Sequence, residues 1–573
     1  MPNMRPFLIV AILVTLYFLW DAWQRDYGPQ PAPATATADA TPSGQASAND
    51  TPAALTVPDD ADVPAAPSAT VAAGAEAPVA PAAVEAGSRR ITIETDVLRV
   101  VVDARGATVV AADLLDYPID PKARDAVVRL LDDGPERFFI AQSGLVGAPG
   151  GPAAPDHRAP FSVEREAYAL APGQDRLEVP FVWTGEDGIR VTRTLTFTRG
   201  QYVIGQRTVV TNDGDRPWSG SEYRQLQRVP LPRGRGFSFT DPEQYAFVGA
   251  SWYSPENRFE KLKFDKFRSE PLNRTFAGGW GAMQQHYFFA AWLPPPAEPT
   301  QYTTAVLDGA GQPRYLIRLM SPAIVVAPGA SATFESRLFA GPKLQRHLRE
   351  VADGLVYTVD YGMVTFIAAP LFWILDQLHK LSGNWGVAII LLTLLVKAAF
   401  FKLTEAQYRS FAKMRKVAPR LQALKERYGD DRQKLNQAMM ELYQKEKINP
   451  LGGCLPILVQ MPVFIALYWV LLESVELRQA VFIPGWIDNI SAKDPYFILP
   501  VLNGIAMYVS QKLTPTAGMD PMQARMLQMM PVIFAVMFAF FPAGLVLYWT
   551  VNSTLSLAQQ WYITRRIEAG EKA

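Results

Sequence analysis

The sequence predicts a multi-domain membrane protein: an α-helical membrane core with a cytoplasmic helical hairpin, and a large all-β sandwich on the opposite side of the membrane. Three observations predict it. Uncharged runs of helix length recur near the N-terminus and throughout the last third of the chain. The middle of the chain alternates apolar and polar residues with a period of two. The loops between the apolar runs change sign, basic on one side and acidic on the other.

Composition bounds the rest. With 573 residues, 49% hydrophobic and 11% aromatic, the chain can bury several cores. Its 55 basic and 55 acidic residues cancel, hiding strong local asymmetry. A single cysteine, Cys454, excludes an intrachain disulfide, so any exported domain relies on its own core. His157, His286, His347 and His379 match no zinc spacing, and no glycine-rich loop cradles phosphate. No cofactor and no metal are expected.

Residues 1–28 read as an N-terminal transmembrane anchor. Met4 and Arg5 precede an uncharged run over 6–20, and Trp20, Trp23 and Tyr27 form an interfacial aromatic cluster. A cleaved signal peptide has a similar profile. However, Asp21, Trp23 and Arg25 follow the run without a small-x-small site, and Ala38-Asp39-Ala40 lies far downstream. Residues 29–90 are a disordered Ala/Pro-rich tether; 29–88 hold no aromatic and cannot offset their ordering entropy.

Residues 91–345 are the sandwich. Thr192 to Thr198, the turn Arg199-Gly200, and Tyr202 to Val210 before Asn212-Asp213-Gly214 make a strand, turn and strand. Similar units recur at 98–102, 288–293, 302–307, 315–319 and 334–339. Such a domain can bind a sugar or a peptide, but no carboxylate pair or nucleophile and base spacing marks it as catalytic. Trp252, Tyr253, Phe259 and Phe264 could line a cleft; aromatic core or rim is the alternative.

Residues 346–383 form a connector with an interfacial amphipathic helix. The stretch 363–381 is apolar for thirteen residues and then carries Asp376, Gln377, His379 and Lys380, too short an apolar portion to cross a bilayer. A helix buried against the sandwich is the other reading. Residues 384–403 are transmembrane helix 2, whose run over 385–401 holds one charge, Lys397. Thr393 lies one turn earlier on the same face. Either the two belong to a polar stripe or Lys397, backed by Lys402, snorkels to the headgroups.

Residues 404–448 are the cytoplasmic hairpin. Between Lys402 and Lys447 twelve basic residues face six acids. Tyr408, Phe411, Met414, Leu421, Leu424 and Tyr428 make one seam, and Leu435, Met439 and Leu442 another. Gly429 ends the first arm, Asp430 caps the second with Gln433 completing a capping box, and Pro419 kinks or restarts the first. Residues 449–564 hold transmembrane helices 3–6, over 454–472, 496–510, 526–541 and 545–561. The loop 473–494 carries Glu473, Glu476, Asp488 and Asp494 against Arg478 and Lys493, which places it outside. Phe541-Pro542-Ala543-Gly544 makes a tight external hairpin, and Arg565 and Arg566 keep the tail, 565–573, inside. Six spans then alternate with both termini cytoplasmic.

The spans carry few charges but several neutral polar groups: Gln460, Asn503, Tyr508, Gln511, Thr550, Asn552 and Ser553. They can join Lys397 in a groove or serve as packing glue between helices.

Particular motifs then carry a resemblance. Gly383-Asn384-Trp385-Gly386, Ala412-Lys413-Met414-Arg415, Asn449-Pro450-Leu451-Gly452-Gly453-Cys454, Gln460-Met461-Pro462, Ser474-Val475-Glu476-Leu477-Arg478, Asp520-Pro521-Met522-Gln523 and Phe541 to Tyr548 occur in order. Phe139 to Leu145 and Gly278-Gly279-Trp280 lie in the exported part. Together they resemble the YidC membrane-protein insertases, bacterial relatives of the organellar Oxa and Alb insertases, in the long form found in bacteria with two membranes.

The resemblance implies a five-helix core with a hydrophilic groove open to cytoplasm and lipid and closed toward the periplasm. Lys397 falls on the groove's basic position, where many relatives carry arginine. Thr393, Tyr548 and Trp549 fall on positions tied to groove or substrate contact, and Gln460, Asn503, Gln511 and Asn552 complete the expected substrate groove. The implied function is that of an insertase and chaperone, not an enzyme, which inserts and helps fold nascent integral membrane proteins alone or with the Sec translocon. Its implied partners are nascent membrane proteins, the ribosome, the Sec translocon with its accessory subunits, and membrane lipids, with no sequence-specific nucleic acid. The implied location is the bacterial inner membrane, multi-pass, with the large domain periplasmic. The tail after Arg566 is less basic than in many relatives, so the loops are the better ribosome contact. The alternatives are a solute transporter and a membrane-anchored periplasmic sugar- or peptide-binding protein.

Overall fold

The computed structural model describes residues 63–64, 89–231, 246–308, 311–429, 431–446, 455–513 and 521–568. The expected anchor, nearly all of the tether, the motif over 449–454, Asp430, Asp520 and the last tail residues lie outside the described residues.

Among the described residues the period-two segments fold into a two-sheet sandwich. One sheet has eleven strands and runs from Asn273–Phe276 through Trp218–Arg228, Phe139–Gly147 and Thr108–Asp120 to Arg90–Glu94 and Ala167–Ala169. The other has eight and runs from Arg258–Lys263 through Phe288–Leu293 and Ser331–Pro342 to Val203–Asn212, Ile189–Thr198 and Arg176–Thr184. The hairpin read at Arg199-Gly200 is present, with Phe197 opposite Ile204. Gly200 has a φ of +69°, and its N–H donates to the Asp96 carboxylate.

In Ile189–Thr198 the inward positions are Ile189, Val191, Arg193, Leu195 and Phe197. Arg193 is therefore a guanidinium in an apolar row. It is held by donation to Gly106 O (2.6 Å) and Ser143 O (3.1 Å) and lies over the Phe161 ring. Beside it Glu222 accepts from Thr208 Oγ1 (2.7 Å) and Arg224 Nε (2.8 Å). Trp252 is buried, Tyr253 and Phe259 pack on Trp280, and Phe264 packs on Tyr315, so these aromatics are core and rim.

The helices that follow are α1 (Gln345–Val351), α2 (Thr365–Ser382), α3 (Trp385–Ala399), α4 (Phe401–Tyr428), α5 (Arg432–Lys445), α6 (Leu455–Glu473), α7 (Ile498–Leu513), α8 (Pro521–Phe538) and α9 (Ala543–Glu568). The Gly383-Asn384-Trp385-Gly386 motif makes the α2 to α3 corner. Gly383, at φ +68°, closes α2 by donating to His379 O (2.7 Å). Asn384 caps α3 by accepting from Val387 N (3.1 Å) and donates to Phe482 O (3.0 Å). Gly386 lets the Phe482 ring approach the α3 backbone where a Cβ would stand.

Three local expectations change. The N-cap of α5 is Asp431, whose side chain accepts from Gln433 N (3.2 Å) and Lys434 N (3.1 Å), not Asp430. One residue more of loop puts the carboxylate over the first free amides. Helix α4 runs through Pro419 as one helix, with no restart there, and a bend of 66° lies at Phe400 between α3 and α4. The connector helix is longer than its apolar portion, because the Asp376 to Lys380 ion pair (2.6 Å) one turn apart carries it on to Ser382. With the turn before it, Gly362–Ser382 is long and apolar enough to cross a membrane, although Phe366 and Trp373 stay exposed. Among the described residues it alone meets that measure as one helix; α3 with Phe401–Phe411 meets it as a bent pair, and Val459–Glu473 and Gln528–Phe538 are shorter apolar segments.

The hairpin helices α4 and α5 close over Val417 and Leu421 against Met414, Met439, Leu442 and Tyr443. The loop between α6 and α7 docks on the sandwich: Arg478 and Gln479 donate to Pro118 O (both 3.0 Å), and Gln345 N donates to Glu476 Oε1 (2.9 Å). His286 Nε2 lies 2.9 Å from Leu472 O. The acidic loop and the sandwich therefore lie at the same end of the helices.

Candidate functional site

The helical bundle is apolar and closely packed at the sandwich end and polar further along. Ile389, Leu392, Leu467, Val470, Ile490, Leu545 and Val546 are at most 2% exposed and fill its sandwich-side core. Beyond them α3, α4, α6, α7, α8 and α9 enclose a cavity of about 350 Å³. It is lined by Lys397 from α3, Gln460 from α6, Gln511 from α7, and Tyr548, Trp549 and Asn552 from α9, with Met507, Met530 and Phe464 as the apolar wall.

A chain of hydrogen bonds crosses the polar wall. Lys397 Nζ donates to Ser556 Oγ (2.6 Å), Ser556 Oγ donates to Asn552 O (2.7 Å), and Gln460 Nε2 donates to Asn552 Oδ1 (2.8 Å). Three helices are joined by one polar thread around a cation. On the other wall Trp549 packs against Phe464 and Phe538, with ring centroids 4.8 and 5.7 Å away. Its Nε1 is buried without a partner, and the Tyr548 hydroxyl is buried beside Gln460. A buried donor without a partner beside a cavity is a group that an incoming chain or water can satisfy.

Six of the eight sequence-expected groove residues thus meet at one cavity. Thr393 and Asn503 do not reach it. Thr393 is wholly buried and its hydroxyl donates to Ile389 O (2.7 Å). Asn503 is wholly buried and accepts from Ser553 Oγ (2.9 Å), tying α7 to α9. Thr550 donates to Val546 O (2.8 Å) and Leu499 O (3.2 Å), and Tyr508 is 48% exposed beside Lys512. Sequence reasoning missed Ser556 and the α4 residues Thr404, Gln407 and Tyr408, which also line the cavity. Ser556 stands one turn after Asn552, a spacing that could have revealed it.

A larger cavity, about 750 Å³, lies on the open face of the eight-stranded sheet, around Thr194, Thr196, Gly205, Arg207 and Arg337. No group of His, Cys, Asp and Glu able to hold a metal occurs among the described residues.

Fold and site together define a large β-sandwich joined to a helical bundle that surrounds a polar, lysine-bearing cavity. Residues 90–374 match the YidC periplasmic domain family, and residues 377–571 match the 60Kd inner membrane protein family. The membrane protein insertase YidC of Thioalkalivibrio sulfidiphilus is 49% identical over 580 residues, covering 100% of both chains. That of Nitrosococcus oceani is 45% identical over 574 residues, covering 99% of each. The chain belongs to the YidC family of membrane protein insertases, which are not enzymes.

Among solved structures, the chain is similar to an active YidC insertase with its first transmembrane domain resolved. That structure is 18% identical with a TM-score of 0.38, covering 84% of this chain and 93% of that one. A galactose mutarotase related enzyme from Lactobacillus acidophilus, 11% identical with a TM-score of 0.31, covers 44% of this chain and 97% of its own.

Proposed function

We propose that the cavity around Lys397 is the groove through which this insertase admits nascent membrane proteins from the cytoplasm. The observation that carries the reading is the Lys397 ammonium held inside the bundle by Ser556 (2.6 Å), beside Gln460, Asn552, Tyr548 and the unpartnered Trp549 Nε1 donor. A snorkelling lysine extends toward headgroups; this one bonds sideways to a neighbouring helix.

Depth supports the same reading. Trp385 stands at the sandwich end of α3, and Lys397 lies about 18 Å further along at 1.5 Å per residue, past the middle of a core roughly 30 Å thick. A polar or acidic flank of the client enters, and water and the ammonium lower the cost of bringing it partway into the bilayer. The apolar part then leaves into lipid past Met507, Met530 and Phe464. Its burial drives the step, at on the order of 0.8 kcal/mol per methylene. No nucleotide takes part.

The topology follows: sandwich and acidic loop on the periplasmic side, hairpin α4–α5 and both termini cytoplasmic. The basic hairpin meets the ribosome or anionic lipid, and the Sec translocon with its accessory subunits is a partner for some clients. Helix α2 lies at the periplasmic interface, with Phe366 and Trp373 toward the acyl chains. Vesicles containing this protein alone test the function. They insert a short client with an acidic exported tail, and Lys397→Ala lowers that insertion several-fold; unchanged insertion refutes the groove reading.

A further inference from the structure

The Lys397 ammonium sits on a flexible four-carbon stem, and it donates to a neutral side chain, Ser556. What fixes its position is a hydroxyl. Ser556 Oγ carries one proton and two lone pairs. The proton goes to Asn552 O (2.7 Å), so toward Lys397 Nζ, 2.6 Å away, the same oxygen must accept. The Tyr408 hydroxyl, from the first turns of α4, reaches the same serine. Ser556 therefore spends its full hydrogen-bonding capacity on three helices: α9 through Asn552, α3 through Lys397 and α4 through Tyr408.

We infer that Ser556, braced by Tyr408, is a positioning residue that holds the groove cation over the cavity and so sets the preference for clients with acidic exported tails. The inference rests on the groove reading above. An ammonium has three donors. Ser556 occupies one, which leaves two for an incoming carboxylate or backbone carbonyl. Without Ser556, the four-carbon stem is free to carry the charge past the bend at Phe400 toward the headgroups, and the cavity loses its cation without losing its shape. Tyr408 follows the 66° bend at Phe400 and lines the same cavity as the α9 residues Asn552 and Ser556.

The test uses the full chain in vesicles and two client proteins that differ only in Asp against Asn in the exported tail; the readout is the ratio of their insertion. Ser556→Ala lowers the acidic-to-neutral ratio by roughly tenfold or more, the scale of one lost hydrogen bond to a charge. Ser556→Thr, which keeps the hydroxyl, restores it, and Tyr408→Phe gives a smaller fall. In the Lys397→Ala background, Ser556→Ala changes the ratio no further. Equal loss of both clients, or a further fall in that background, overturns the inference and leaves Ser556 a packing residue. If Lys397→Ala itself leaves the ratio unchanged, the groove reading fails and this inference with it; if Lys397→Ala lowers the ratio and Ser556→Ala does not, only this inference fails.

Discussion

Lys397 Nζ and Ser556 Oγ, 159 positions apart in the chain, lie 2.6 Å from each other inside the helical bundle. The contact turns a charge that is costly in a membrane into a fixed feature of a polar wall, and the account of function depends on that charge staying where it is.

Lys397→Arg keeps the charge and lengthens the reach, and a guanidinium can still donate to Ser556 while presenting its fork to a carboxylate. The expected result is insertion of acidic-tailed clients within about twofold of the unmodified protein, a small change for a substitution that keeps both charge and donors. Insertion as low as that of Lys397→Ala shows that fit, not charge, decides.

Gly386→Ala places a methyl where the Phe482 ring sits. Overpacking at this corner costs on the order of 1–3 kcal/mol, and the Asn384 bond to Phe482 O is strained with it. Thermal unfolding in detergent registers the change as a lower midpoint; an unchanged midpoint means that the loop moves away freely.

Glu476 gives a pH dependence with a definite sign. Burial pushes its carboxyl up to about 7, against the downward pull of the Gln345 N–H that it accepts. Its other oxygen is buried without a partner, as suits a protonated acid. The folded protein therefore keeps this proton up to about pH 7, while the unfolded chain releases it near its ordinary value of about 4.5. Stability from this group is full below about 4.5 and falls as pH rises toward 7, by on the order of 3 kcal/mol. Glu476→Gln keeps the acceptor for Gln345 and has no proton to lose. Relative to that variant, the unmodified chain loses thermal stability between pH 4.5 and 7; parallel curves contradict the assignment.

Arg193→Met removes the guanidinium held by Gly106 O and Ser143 O and leaves two buried carbonyls short of a donor. The expected loss is about 2–4 kcal/mol of sandwich stability, read as earlier unfolding in calorimetry, with the helical transition unmoved. A shift of both transitions together shows that sandwich and bundle unfold as one unit.

The strands were legible because alternation, or a short unbroken apolar run, is a local signal. Phe288–Leu293, buried at every position, forms as read, and Ser331–Pro342 extends the stretch read at 334–339. Arg193 was legible in principle, since it shares the parity of Leu195 and Phe197, yet its partners come from Gly106 and Ser143, far away in the chain. In the helices, polar residues on apolar backgrounds pointed to the cavity but could not separate its lining from glue: Gln460 and Asn552 face it, while Asn503 and Thr393 are sealed between helices. Tyr408, which lines the cavity, read as hairpin seam because the 66° bend at Phe400 leaves no trace in sequence periodicity.

The most direct test is site-specific photocrosslinking from the full chain to a ribosome-stalled nascent membrane protein. Probes replace Gln460 and Trp549 in the cavity, and Val501 and Ile533, 56% and 57% exposed on the outer faces of α7 and α8, serve as controls. Strong adducts from the cavity pair and weak ones from the outer pair are expected, with the cavity signal strongest as the polar flank of the client passes Lys397. Adducts from the outer faces alone, with none from Gln460 or Trp549, contradict a client path through this cavity.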